Sequence, residues 1–202
     1  MYRTKILLLA GLALAHVSGV SPEPEPAPEP IVVVAAAPAG ASPHAERREA
    51  HQWGLWVEAV KDETLIRDAE LAETVALAIE DAASEFDVNP WMLASLIRIE
   101  SSGRPEVVSH AGAIGLTQIL PGTAEEIADK LQLAEYDLTD PYTNVRMGAF
   151  YVAGLLERFD GDESVALAAY NYGPTTIARM LRNDEDLPTV YAGKILIRLA
   201  SK

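Results

Sequence analysis

The stretch Asn89–Gln118, NPWMLASLIRIESSGRPEVVSHAGAIGLTQ, constrains this chain more than any other. Asn89 is a residue type that caps helices, and Pro90 loses no hydrogen bond at a first helical position, so a helix is predicted to start there. Leu93, Leu96, Ile97 and Glu100 fall at i, i+3, i+4 and i+7. A carboxyl therefore ends an apolar stripe where another hydrophobic residue is due. Met92 and Ile99 widen the apolar arc, which marks the helix as central. A carboxyl so placed loses part of its hydration, which favours the neutral acid and raises its pKa, the setting of a general acid near neutral pH. The plainer alternative is a helix-end glutamate that reaches into water.

The residues after Glu100 favour the first reading. Ser101, Ser102 and Gly103 end the helix beside it, and Ser109–Gln118 supplies small residues whose backbone can come close to a ligand. Four patterns occur in order: E-S-S-G at Glu100–Gly103, S-x-A-G-A-x-G-L-x-Q at Ser109–Gln118, P-x-T-A at Pro121–Ala124 and A-Y-N-x-G at Ala169–Gly173. Together they resemble the catalytic core of the bacterial lytic transglycosylases with a soluble-transglycosylase type of domain. The resemblance runs from about Leu71 to the end of the sequence and does not cover the first sixty residues.

That resemblance implies a lysozyme-like helical domain with a substrate groove. It implies cleavage of the β-1,4 bond between N-acetylmuramic acid and N-acetylglucosamine without water, leaving a 1,6-anhydro ring, with Glu100 making both proton transfers. Ser109 and Gln118 would hydrogen-bond the glycan. Tyr170 would hold Glu100 or the N-acetyl group, Asn171 would line the site, and Tyr191 would touch the groove. Two of these have structural alternatives: Tyr170 follows Leu167, Ala168 and Ala169 and also reads as a core tyrosine, and Asn171 can simply close a helix. Thr117 stands where many members carry methionine, which gives a smaller, partly polar wall at that point.

The rest of the pattern is helical. A helix is predicted over Thr64–Phe86 and another over Pro121–Leu131, with Ala124, Ile127, Ala128 and Leu131 on one face. Asp140 caps a long helix that begins at Pro141 and turns Met147, Phe150, Tyr151, Gly154, Leu155 and Phe159 inward. Asp160-Gly161-Asp162 breaks it; with Glu163 it resembles part of a calcium loop, but the glycine and remaining ligands are misplaced and a capped turn is the better reading. Further helices are predicted over Ser164–Tyr172, from Pro174, and over Thr189–Ser201. No long alternating run occurs, so the fold is expected to be mainly α, with a short hairpin or irregular wall beside the active site. Trp53, Leu55 and Trp56 begin a docking helix or, alternatively, form an aromatic carbohydrate platform.

The N-terminal quarter differs in kind. Arg3 and Lys5 precede the apolar run Ile6–Ala15, which reads as a secretory signal over residues 1–20, with an uncleaved N-terminal anchor as the alternative. The proline and glutamate repeat Ser21–Pro30 stays extended, and the strand-like Ile31–Ala37 is followed by Pro38, Gly40 and Pro43. Residues 21–48 are thus expected to be a Pro/Glu/Ala-rich linker, and residues 49–202 the catalytic domain.

Composition narrows the chemistry. The chain has no cysteine, which excludes disulfides, a thiol nucleophile and lipid attachment at cysteine. With His110 the one histidine inside the core, no clustered zinc site is expected, and neither metal nor cofactor enters this reading. The net charge of −14 becomes −16 once Arg3 and Lys5 leave with the signal, a balance that repels nucleic acid. The expected protein is a periplasmic enzyme acting on peptidoglycan glycan strands, with envelope or secretion-machine proteins as candidate partners. A hydrolytic muramidase of the same fold is the enzyme alternative; it needs a second carboxylate, for which Glu106, Asp137 and Asp140 are the nearby candidates. An inactive glycan-binding component of an envelope assembly is the non-enzyme alternative.

Overall fold

The computed structural model describes residues 43–202. The signal over residues 1–20 and the linker up to residue 42 lie outside the described residues. Among the described residues there are eight helices and no strand: α1 Pro43–Thr64, α2 Ala69–Phe86, α3 Pro90–Glu100, α4 Pro121–Leu131, α5 Pro141–Arg158, α6 Glu163–Tyr172, α7 Pro174–Arg182 and α8 Val190–Leu199. No helix among them is long and apolar enough to cross a membrane.

Helix starts follow from local chemistry. The Asn89 side chain accepts from the Trp91 amide at 2.9 Å, and Pro90 opens α3. Asp140 accepts from the Thr143 amide at 2.8 Å ahead of Pro141. Asp162 accepts from the Val165 amide at 3.0 Å, so Asp160-Gly161-Asp162 is a helix-to-helix turn closed by a cap.

Three boundaries or faces differ from expectation. The helix expected over Thr64–Phe86 is two helices: α1 stops at Thr64, Leu65 turns the chain at a φ of 68°, and Asp68 starts α2 by accepting from the Leu71 amide at 2.8 Å. No glycine or proline marks that break, and the apolar pattern runs through it. α1 begins at Pro43, so residues 43–48, assigned to the linker, are helical. Gly154, expected to face inward from α5, is exposed, and the inner face there is carried by Gly148, Val152 and Leu155.

The core is built around α3, whose Met92, Leu93, Leu96 and Ile97 are at most 1% exposed. α1, α2, α5 and α8 surround it. α2 contributes Ala72, Val75, Ala76, Ile79 and Ala82, mostly small side chains that let neighbouring helices approach closely. Trp53 and Trp56 pack against this core from within α1; Trp56 Nε1 donates to the Ala76 carbonyl at 3.3 Å and its ring meets Trp91 edge-on at 5.0 Å. These two tryptophans therefore serve packing, while Leu55 is exposed. A second cluster joins α4 to Met147, and a third holds α6 and α7 on α5 through Leu155, Ala169 and Ile177.

Candidate active site

Glu100 is the last residue of α3, partly buried where the apolar stripe ends. Its carboxylate accepts a hydrogen bond from the hydroxyl of Tyr191, in the first turn of α8 and itself buried. Burial raises the Glu100 pKa above its ordinary value, and the Tyr191 hydrogen bond opposes that rise without cancelling it. Tyr191 was expected as a groove contact; the structure places it on the acid itself. Burial and the nearby Glu100 charge push the Tyr191 phenol far up, so it acts only as a neutral donor.

Tyr170, on α6, also faces this centre. Its phenol is held well above the ordinary value, by burial first and then by the charge on Glu100. Its hydroxyl donates at 2.8 Å to the backbone carbonyl of Thr117 rather than to Glu100. That bond ties α6 to the segment beside the acid, as the core reading of Tyr170 expects; the hold on Glu100 that the resemblance implied is not made by this hydroxyl.

That segment is an irregular wall. It contains two isolated antiparallel bridges, Val108 with Ile114 and Ile114 with Ile119. Ser109 lies in its turn: the Ser109 Oγ accepts from the Ala113 amide at 3.0 Å, which leaves the hydroxyl proton free to donate outward. Gln118 sits at a φ of 54° and spends its side-chain Nε2 on the Val107 and Gly115 carbonyls, at 3.0 and 2.9 Å. Its Oε1 is then the atom that can accept from a ligand. Asn171 is exposed in the last turn of α6.

One residue carries the wall that the sequence did not single out. Asn144, buried in the first turns of α5, donates from Nδ2 to the Ile114 and Leu138 carbonyls at 3.0 and 2.9 Å. Its Oδ1 accepts from the Thr117 amide at 2.8 Å and the Thr117 hydroxyl at 2.7 Å. Thr117 is fully buried, so it is not the exposed piece of groove wall that the comparison with methionine suggested. It is a joint between the wall, α5 and Tyr170. An asparagine in an amphipathic helix reads as a solvated position, and only its long-range partners show otherwise.

Known proteins resemble this chain in sequence and in fold. The model of the family described as "Transglycosylase SLT domain" matches residues 78–191, more than half of the chain. The chain belongs to this family. The soluble lytic murein transglycosylase of Salmonella typhimurium is 32% identical over 141 residues, which is 66% of this chain and 22% of that protein. The transglycosylase of Enterobacteria phage PRD1 is 35% identical over 92 residues, 46% of this chain and 32% of that protein. Among solved structures, a 70-kDa soluble lytic transglycosylase in complex with bulgecin A superposes with a TM-score of 0.52 at 26% identity, covering 67% of this chain and 23% of that one. An inactive mutant of the lytic transglycosylase Slt from Pseudomonas aeruginosa gives a TM-score of 0.53 at 24% identity, over 75% of this chain and 26% of that one. The chain thus spans about a fifth to a third of the length of these relatives. It carries the mainly helical, lysozyme-like fold expected of it.

The SLT domain matched here holds both ends of the contact between Glu100 and Tyr191. Of the carboxylates considered for a second catalytic acid, two are engaged elsewhere. Asp137 accepts from the Thr139 amide and hydroxyl, each at 2.8 Å, Asp140 caps α5, and Glu106 is exposed in the wall. Burial and Tyr191 are the two influences on the Glu100 carboxyl, and no second carboxylate is among them.

Proposed function

We propose that this protein is a peptidoglycan lytic transglycosylase in which Glu100 is the single acid and base. The observation that carries the reading is the setting of Glu100: burial raises its pKa, one phenol donates to it, and no carboxylate is among the influences on it. A retaining glycosidase places its second carboxyl about 5 Å away, where it would act strongly on the first.

The protonated Glu100 donates its proton to the glycosidic oxygen, and the bond from that oxygen to C1 of the muramic acid breaks. The leaving N-acetylglucosamine takes the proton. The carboxylate left on Glu100 then removes the proton of the same sugar's C6 hydroxyl as O6 closes on C1. The product is a 1,6-anhydro ring, no water is consumed, and Glu100 is protonated again. Tyr191 suits both halves of the cycle. Its donor stabilises the carboxylate formed by the first transfer, while burial keeps that carboxylate basic enough for the second. Ser109 and Gln118 retain one free donor and one free acceptor for the glycan, and the family resemblance assigns Asn171 and Tyr170 to the same site.

The apolar segment at residues 6–15 and the repeat at residues 21–30 support export to the periplasm and a spacer ahead of the domain. Residues 49–202 are the catalytic domain in this reading, with the helical residues 43–48 leading into it. Digestion of purified cell wall followed by mass spectrometry is the test. Anhydro-ended muropeptides are expected. Reducing ends would replace the proposal with a muramidase, and wall binding without any product would replace it with a glycan-binding component.

A further inference from the structure

A buried carboxylate far along the chain from Glu100 takes no part in the proton transfers to the glycan. Glu63, in the last turn of α1, has a side chain only 5% exposed. Its Oε1 accepts from Ser95 Oγ of α3 and from Arg198 Nη1 of α8, both at 3.2 Å. Its Oε2 pairs with Lys202 Nζ at 2.8 Å, and that ammonium also lies 4.4 Å from the centre of the Trp91 ring. Arg98 of α3 reinforces the junction by donating to the Asp62 and Glu63 carbonyls at 3.2 and 3.1 Å.

The helices joined there are the ones that carry the catalytic contact. Glu100 ends α3, and Tyr191 stands in the first turn of α8. Tyr191, Ile195 and Arg198 fall at i, i+4 and i+7, one face of α8. Tyr191 and Ile195 on this face are buried, whereas Val190 and Ile197 off it are 70% and 75% exposed. The start of α8 has no side-chain cap, so no capping side chain helps to fix where Tyr191 stands. Packing of one helix on another leaves small sliding and rotation inexpensive, while a buried, multiply hydrogen-bonded charge has one geometry.

We propose that Glu63 is a positioning residue for the pair Glu100 and Tyr191: by clasping Ser95 and Arg198 it sets the rotation and register of α8 against α3, and so keeps the phenol on the acid. Arg198 lies two helical turns, about 10 Å, from Tyr191. The clasp therefore acts through the helix and touches no substrate. The proposal rests on the reading of Glu100 as the catalytic acid, but its geometry is independent of the product formed.

The test is a titration of the Glu100 carboxyl by NMR in the full chain, combined with turnover of purified glycan strands. Because the Tyr191 hydrogen bond lowers the Glu100 pKa, Tyr191→Phe raises it, and Glu63→Gln is expected to raise it in the same direction. In the double variant the second substitution adds nothing further. In turnover, Glu63→Gln is expected to lower kcat about 10-fold with KM unchanged. In the Tyr191→Phe background it changes kcat less than about twofold. A Glu100 titration unmoved by Glu63→Gln, or the same loss of kcat in both backgrounds, would overturn the proposal. Should Glu63→Gln fail to fold, Ser95→Ala removes one bond of the clasp; it is expected to move the Glu100 titration upward by less, and an unmoved titration sinks the proposal. Failure of wild type to form anhydro product refutes the proposed function alone, since the titration still decides the clasp.

Discussion

The hydroxyl of Tyr191 donates to the carboxylate of Glu100 from a helix that begins 90 residues later in the chain. Two opposite influences therefore meet on one group: burial disfavours the charge and the phenol favours it. Removing the phenol oxygen separates them. Tyr191→Phe leaves burial acting alone, so the Glu100 pKa rises further. If Glu100 must be protonated to start the reaction, the alkaline limb of kcat/KM moves to higher pH. The lost bond to a charged group, about 1.5–3 kcal/mol, lowers the rate at the optimum by about 10- to 150-fold. A pH profile from 4 to 9 checks both effects, and an alkaline limb that stays in place counts against Glu100 as the titrating acid.

Thr117 and Asn144 make a second testable contact. The Thr117 hydroxyl donates in the joint that holds the wall, and its oxygen lies 3.1 Å from the Asn144 carbonyl and 2.7 Å from Asn144 Oδ1. Thr117→Val keeps the shape and deletes the hydroxyl, while the Thr117 amide still serves Oδ1. The expected cost is about 1–2 kcal/mol, a loss of about 2–8 °C in Tm, measured by calorimetry. Because the hydroxyl does not face the groove, KM for glycan strands should stay within twofold of wild type. A large rise in KM with an unchanged Tm would return Thr117 to the groove wall.

Which parts of this molecule the sequence discloses depends on how local their causes are. Asn89, Asp140 and Asp162 announce helices because a cap acts on an amide two or three residues away. Glu100 is visible because the stripe that buries it lies on its own helix. The break between α1 and α2 is not, since Leu65 takes a left-handed φ without the glycine that usually signals one. Asn144 is hidden for a different reason: its partners at Ile114, Thr117 and Leu138 are backbone and side-chain groups brought in by the fold. Tyr191 could be suspected only through its resemblance to a family position, and no spacing rule links it to Glu100.

Gly115 offers a test of the wall itself. Its φ is 84°, and a Cβ built on it would lie 2.2 Å from Asn144 Nδ2 and 2.3 Å from the Leu138 carbonyl oxygen. Neither neighbour can yield without breaking the bond between them. Gly115→Ala is therefore expected to cost about 3 kcal/mol through strain and overpacking. Activity should fall along with stability because the wall beside Glu100 is displaced. Gly122→Ala is the control: no neighbouring atom lies within 4 Å of its Cβ, so it should fold and turn over as wild type does. Equal melting temperatures for the two variants would show that the wall is not braced by these contacts.

Glu100→Gln separates catalysis from stability. An amide cannot transfer the proton, so anhydro product should disappear while glycan binding persists, because the shape of the site and most of its hydrogen bonds remain. The stability effect has the opposite sign. In the folded wild type the Glu100 pKa is raised, so between the unfolded value near 4.5 and the higher folded value the native state binds more protons than the unfolded one. Stability of the wild type consequently falls as pH rises through that window and stays reduced above it. Each tenfold difference in proton affinity amounts to about 1.4 kcal/mol, and a neutral glutamine carries none of that penalty. Glu100→Gln is therefore expected to melt above wild type at pH 7 to 8, with the difference closing as the pH approaches 4. The Tyr191 hydroxyl keeps an acceptor in the amide oxygen, which limits any offsetting loss. Melting curves at pH 4, 6 and 8 decide it: a variant that is inactive yet less stable than wild type at every pH would place Glu100 in an environment that favours its charge, contrary to its burial at the end of α3.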